Sequence, residues 1–327
     1  MKRALITGVT GQDGAYLSEL LLARGYEVYG LVRNAAAAAS SALETLGVSE
    51  RIRVVEGDLT DGSGLRRILS KVRPHEVYNL AAQSRVKTSW DEPLLTGAVT
   101  GLGAAHLLEA VRLECPEARF LQASSSEMFG QTQEAMQSEE TPFQPCSPYA
   151  TAKLYAHWMT VNYRESFGLF ASCGILFTHD SALRSPDFVS RRITDGVARI
   201  KLGLSDVLTL GNVDVRRDWG HARDYVRAMW LILQQSEPED FVIATGRSVS
   251  ILDFCRIAFG HVGLAAEKYL ASDSGLFRPA EIRSLCGNAS KARRKLNWTP
   301  EIPLEAMIGE MVDADLNRLR RQTGSGV

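Results

Sequence analysis

Tyr149 and Lys153 stand four residues apart in Tyr149-Ala150-Thr151-Ala152-Lys153, so a helix there carries a phenol and an ammonium on one face. A cation beside a phenol favours the phenolate and lowers its pKa from about 10, which suits proton exchange with a substrate hydroxyl near neutral pH. That spacing is common on helices and gains weight only from its company. Ser124-Ser125-Ser126-Glu127 follows an apolar, strand-like run and adds hydroxyls and a carboxylate, a second acid–base group. A turn held by the serines and a solvated Glu127 are the bland alternatives.

Gly8, Gly11 and Gly14 follow the first apolar run and open an amphipathic stretch. Glycines at a strand-to-helix turn allow the tight bend, let backbone N–H groups approach a pyrophosphate, and permit close helix–sheet packing. The context points to a dinucleotide rather than to an idle turn. An NAD-type site places an acid at the end of the second strand to hold the ribose 2′-hydroxyl. Here Leu31-Val32-Arg33-Asn34 has no carboxylate, and Arg33 favours a 2′-phosphate, so NADP is expected, with NAD as the alternative. After the third strand, Asp58 stands where it can meet an adenine amino group, or else Asp58 or Asp61 caps a helix.

Such groups need a scaffold. Strands are expected over Arg3–Thr7, Glu27–Val32, Arg53–Glu56, Glu76–Leu80, Phe120–Ala123 and Ala171–Phe177, alternating with helical patterns such as Tyr16–Arg24, Gly101–Arg112 and Tyr149–Phe167. This rhythm predicts an α/β fold with a doubly wound parallel sheet of Rossmann type. Residues 1–180 form the nucleotide-binding domain with the catalytic groups. Residues 181–327 form a smaller, partly interleaved substrate lobe, with a helix near Arg191–Lys201, a strand Val207–Leu210, a helix His221–Gln234 and a strand-plus-helix unit Phe241–Phe259. Ala35–Ala39 is the one low-complexity run, and it has no evident physical reason.

Bulk properties exclude several functions. The 327 residues carry a net charge of −1, which offers no field for nucleic acid or anionic lipid. No apolar run is expected to reach the roughly 18 residues of a membrane span, and no signal-peptide core opens the chain, so a cytoplasmic location is expected. Five scattered cysteines without a C-x-x-C pair read as reduced thiols, and the six histidines lack zinc-hydrolase spacing; no metal is expected.

Six segments, in order, carry a resemblance to a known family: Ile6 through Gly14, Tyr78 through Ser84, Ser125 through Gly130, Ser147 through Lys153, Gly211-Asn212 with Arg217 through His221, and Arg278-Pro279-Ala280-Glu281. The chain resembles the extended short-chain dehydrogenase/reductases, and within them the GDP-mannose 4,6-dehydratases, over nearly its whole length. The resemblance implies catalysis by Ser125, Glu127, Tyr149 and Lys153 on a GDP-sugar. It implies cofactor contacts from Gly8, Gly11, Gln12, Asp13, Gly14, Arg33, Asp58, Leu59, Leu80, Ala81, Ala82, Tyr149, Lys153 and His179. Substrate contacts are implied for Ser84, Glu127, Thr178, Arg184, Arg192, Gly211, Asn212, Arg217, Arg278 and Glu281. Arg217 could instead pair internally with Asp218.

The implied chemistry is oxidation at C4, loss of water across C5 and C6, and return of the hydride to C6. The chain departs from the family pattern at Thr178 through Pro186, at Arg85, at Cys146 and after Arg33, where Asn34-Ala35 stands. These departures admit a GDP-manno-heptose substrate. A C4 epimerase or reductase, which needs no Glu127, and a binding protein without turnover are the other readings. A homodimer through the Gly101–Arg112 and Tyr149–Phe167 helices is implied, with a tetramer as the alternative.

Overall fold

Seven apolar runs pair side by side, all in parallel, in the order β10-β6-β5-β4-β1-β2-β3. They are β1 (Arg3–Thr7), β2 (Glu27–Val32), β3 (Arg53–Glu56), β4 (Glu76–Asn79), β5 (Arg119–Ser125), β6 (Ala171–Leu176) and, from the second half of the chain, β10 (Phe241–Ile243). The computed structural model describes residues 1–38, 42–277 and 280–323. Strands covered by helices on both faces lose their alternation, and β1 shows this: Ala4, Leu5, Ile6 and Thr7 are all fully buried. Arg278 lies outside the described residues, as do Ala39 to Ser41.

From β1 the chain winds outward through β2 and β3, then crosses back to β4 and winds the other way. A crevice therefore opens at the carboxyl ends of β1 and β4, where such sheets hold ligands. Two glycines shape it. Gly8 has φ +69°, and a Cβ there would lie 2.8 Å from the Ala81 nitrogen. A Cβ at Gly14 would lie 2.5 Å from Val9 Cα, so the helix Gln12–Ala23 reaches the sheet only as glycine.

The remaining strands are β7 (Thr178–Asp180), β8 (Leu208–Leu210), β9 (Arg216–His221), β11 (Ser248–Ser250) and β12 (Leu270–Ser272). They form a three-stranded sheet β11-β9-β7 and a pair β12-β8 beside the crevice. Helices Val189–Lys201, Ile251–His261 and Leu304–Gln322 close a separate core there around Trp219, Phe254, Met307 and Leu316. The helix Leu304–Gln322 is a finding of the structure alone. Because β10 returns to the main sheet beside β6, the second half of the chain is interleaved with the first.

Pro93–Glu114, 22 residues, is a helical run long and apolar enough by length and composition to cross a membrane. It packs instead against the helices Gly62–Val72 and Pro148–Phe167, and a π-type turn, Gly97–Leu102, interrupts it. Glycine, threonine and one histidine interrupt its apolar residues, and Glu109, Arg112 and Glu114 charge its end.

Candidate active site

The end of β5 and the start of the next long helix bring the expected chemistry together. Ser147 caps the helix Pro148–Phe167 by accepting the Ala150 N–H, with Pro148 in the first turn. This presents Tyr149 and Lys153 one turn apart, both buried. Ser125 Oγ accepts the Glu127 N–H at 3.2 Å and also bonds the Tyr149 hydroxyl. Ser125, Glu127, Tyr149 and Lys153 line one cavity of about 430 Å³, with Asp13, Leu80, Ala82, Ser84, Thr178, His179, Arg184 and Arg217.

The electrostatics correct the sequence argument. Lys153 Nζ donates to the Ala123 carbonyl at 2.7 Å and stands 5.9 Å from the Tyr149 ring centre. Burial pushes Tyr149 up to about 12, against the pull of its bond to Ser125, with Glu127 adding to the rise. Burial likewise lowers Lys153 to about 8, with Asp13 opposing. In the chain by itself, burial therefore dominates at the phenol.

At the glycine turn Gly11 is the residue before the helix, with no side-chain cap, so its backbone N–H groups face an open approach. A helix N-terminus of this kind suits a pyrophosphate, and a Cβ at Gly8 would strike the Ala81 backbone, so the tight turn that forms it needs glycine. Leu59 is buried and its carbonyl meets His106 Nδ1 at 3.0 Å. Arg33 is exposed at the end of β2 and acts on the Asp58 carboxylate. Asp58 accepts the Thr60 N–H and hydroxyl, while Asp61 caps the next helix.

Gln12, Asp13 and His179 bolt the first helix to β7. Gln12 donates to the Asp13 carboxylate and to the His179 carbonyl and accepts from Ser181. His179 Nδ1 lies 2.7 Å from the Phe177 carbonyl and Nε2 lies 2.9 Å from Asp13 Oδ2. Both partners can only accept, so the ring must donate twice and be an imidazolium. Burial opposes its charge, yet Asp13 raises its pKa; burial also opposes the Asp13 charge, yet His179 brings that carboxyl to about 2.

A histidine whose native pKa is raised stabilises the fold fully below its ordinary value of 6.5 and loses that contribution as pH rises through the native value. Asp13 contributes above its ordinary 3.8 and loses its part as pH falls toward about 2. Thermal melting of the wild type should therefore decline above pH 6.5 more steeply than that of His179→Gln. Parallel Tm–pH curves would refute the imidazolium.

On the substrate side Arg217 is 7% exposed and donates to the Ile282 carbonyl at 2.9 Å, with Glu127 and Glu281 each 3.7 Å from its guanidinium. It does not pair with Asp218, whose carboxylate accepts from Thr245, Gly246 and Gly287. Arg184 pairs with Asp180 at 2.9 Å and lies 3.5 Å over the Phe188 ring.

Of the expected substrate contacts among the described residues, Arg192, Gly211, Asn212 and Glu281 do not line the cavity, and Glu281 meets it through Arg217. Arg192 is on the exposed side of its helix, because Arg191 takes the inward position against Asp315. Gly211 sits against the Leu276 backbone, and Asn212 accepts the N–H of Asp214. The sequence reading missed Lys87, Asp187, Phe188 and Trp219, which line the cavity. Arg85 and Asp187, from loops on opposite sides, form an ion pair at that cavity. Its only sequence signal is that both loops depart from the family pattern.

A seven-stranded parallel sheet, a glycine cradle and a Ser/Tyr/Lys set at the crevice define a nicotinamide-dependent enzyme of the extended short-chain dehydrogenase/reductase class. A family model described as GDP-mannose 4,6 dehydratase matches residues 5–311, and the chain belongs to that family. GDP-mannose 4,6 dehydratase 1 of Arabidopsis thaliana is 48% identical over 98% of this chain and 91% of its own. GDP-mannose 4,6-dehydratase of Yersinia enterocolitica is 46% identical over 98% of this chain and 95% of its own. Among solved structures, UDP-glucose 4-epimerase of Thermus thermophilus, in complex with NAD, superposes with a TM-score of 0.83 at 27% identity, covering 96% of this chain and 98% of that one.

Proposed function

We propose that the protein converts GDP-mannose to GDP-4-keto-6-deoxy-mannose, as a cytoplasmic homodimer using NADP. The single observation that carries the chemistry is the position of Glu127. A carboxylate lines the same cavity as Ser125, Tyr149 and Lys153, which plain oxidation or reduction at C4 would not require.

Bound nicotinamide supplies the hydride acceptor and donor. Tyr149, assisted by Ser125, takes the O4 proton as C4 becomes a ketone, while Lys153 keeps positive charge beside the phenol oxygen. The ketone acidifies C5–H. Glu127 removes that proton and delivers it to the departing C6 hydroxyl, which leaves as water. With hydride returned to C6, the proton held by Tyr149 is the one that restores C5–H. Arg217 and Arg184 suit a diphosphate, and Arg278 is proposed to join them.

Arg33 and the lack of a carboxylate at the end of β2 support NADP over NAD. Five cysteines free of disulfides fit a reducing compartment. An apolar groove lined by Trp90, Leu94, Gly101, Leu102 and Tyr155, between the Pro93–Glu114 run and the helix Pro148–Phe167, supports a dimer across those helices.

The departures from the family pattern at Thr178 through Pro186 and at Arg85, whose residues Thr178, Arg184 and Arg85 line the cavity, support a second reading, the same dehydration on GDP-manno-heptose. Mass spectrometry of the protein incubated with a panel of GDP-sugars tests both. Loss of one water with no net change in nicotinamide absorbance is expected. Stoichiometric cofactor consumption, or an isomer of unchanged mass, would overturn the proposal in favour of a reductase or an epimerase.

A further inference from the structure

The helix that carries Tyr149 and Lys153 places a third polar side chain on the same face, one turn further on. His157 is 4% exposed, and its Nδ1 lies 3.0 Å from Ser124 Oγ. Ser124 is itself 2% exposed, lines the catalytic cavity and immediately precedes Ser125. The His157 ring also meets Phe143 edge-on at 5.1 Å. Phe143 in turn packs at 5.1 Å on Phe129, the last residue of the turn Ser126–Phe129 that bears Glu127. One imidazole therefore braces both the strand end with Ser125 and the turn with Glu127 against the Tyr149 helix.

Behind His157 lie Cys173 and Asp240, their ligand-type atoms all within 4.8 Å of one another and of the imidazole. A metal does not suit this cluster. Both Asp240 oxygens are taken by Arg164, at 2.8 Å each, and the guanidinium repels a cation. Metals bind cysteine as thiolate, whereas burial raises the Cys173 pKa well above its ordinary value. Cys173 instead makes a long hydrogen bond, 3.7 Å, to the His157 carbonyl. The cluster reads as the fixed rear support of the brace.

We infer that His157 is a positioning residue for the dehydration, holding Ser125 and Glu127 in register with Tyr149 through Ser124 and Phe143. The inference rests on the proposed reading of the site. Misplacing a reacting group by about 1 Å costs on the order of 10²-fold in rate, and a brace of this kind acts on kcat while leaving the nucleotide-sugar contacts alone.

The test uses the full-length protein with its cofactor and GDP-mannose. His157→Leu, which cannot bond Ser124, should lower kcat by about 10- to 100-fold with KM changed less than about 3-fold. His157→Asn can keep a polar atom where Nδ1 was and should recover most of that loss. Should the leucine variant fail to fold, Ser124→Ala removes the same bond from the other side. It should lower kcat alike, and the double variant S124A/H157N should lose little more. Wild-type kcat in His157→Leu, equal losses in the Leu and Asn variants, or a change confined to KM would each overturn the inference while the dehydratase reading stands. A wild-type protein that forms no 4-keto product overturns both.

Discussion

Glu127→Gln should stop the reaction halfway. Glutamine keeps the shape and a polar contact toward Arg217, 3.7 Å away in the wild type, but cannot accept the C5 proton. Oxidation at C4 does not use that proton, so adding GDP-mannose should still produce the absorbance of reduced nicotinamide. That absorbance should persist, because without elimination there is no acceptor carbon at C6 for the hydride. Product formation should fall by about 10²–10⁴-fold, the usual worth of a positioned acid–base group. Full retention of dehydration would remove Glu127 from the mechanism and return the site to C4 chemistry alone.

Tyr149→Phe should fail earlier and leave a different signature. Removing the phenol oxygen takes away the group that receives the O4 proton and the partner of Ser125. Turnover should drop by about 10²–10⁴-fold. Unlike the Glu127 variant, it should show no build-up of reduced nicotinamide when sugar nucleotide is added. Stopped-flow absorbance distinguishes the two directly. If both variants accumulated the reduced signal equally, Tyr149 would not be the C4 base.

The resting state sets a constraint on the wild-type reaction. With Tyr149 pushed up to about 12 and Lys153 lowered to about 8, the phenol must give up its proton only in the presence of bound, charged groups. Positive charge entering the cavity lowers a phenol pKa by the same Coulombic rule that the buried environment works against.

Much of this was readable along the chain. The short apolar and β-branched runs located six of the seven sheet strands to within a residue or two, as in Arg3–Thr7 and Glu27–Val32, and Phe241 was expected to open the seventh. The spacing of Gly8, Gly11 and Gly14 after β1, and of Tyr149 and Lys153 within one helix, are local facts, because strand pitch and helical turn convert spacing in sequence into position in space. The dinucleotide cradle and the order of the catalytic groups are of this kind.

Other features depend on atoms far apart in sequence, and no local pattern encodes them. The burial that raises Tyr149 comes from the closing of the whole crevice. The imidazolium of His179 exists only because β7 brings it to Asp13, 166 residues earlier. Arg217 faces Glu127 and Glu281 rather than its neighbour Asp218 because Thr245, Gly246 and the Gly287 backbone claim that carboxylate. Arg192 turns outward because Arg191 takes the buried place at Asp315. Residue types and their local spacing determined which chemistry was available; long-range packing decided which charges meet, which are desolvated and which are left to water, because electrostatic energy depends on distance and dielectric and not on order along the chain.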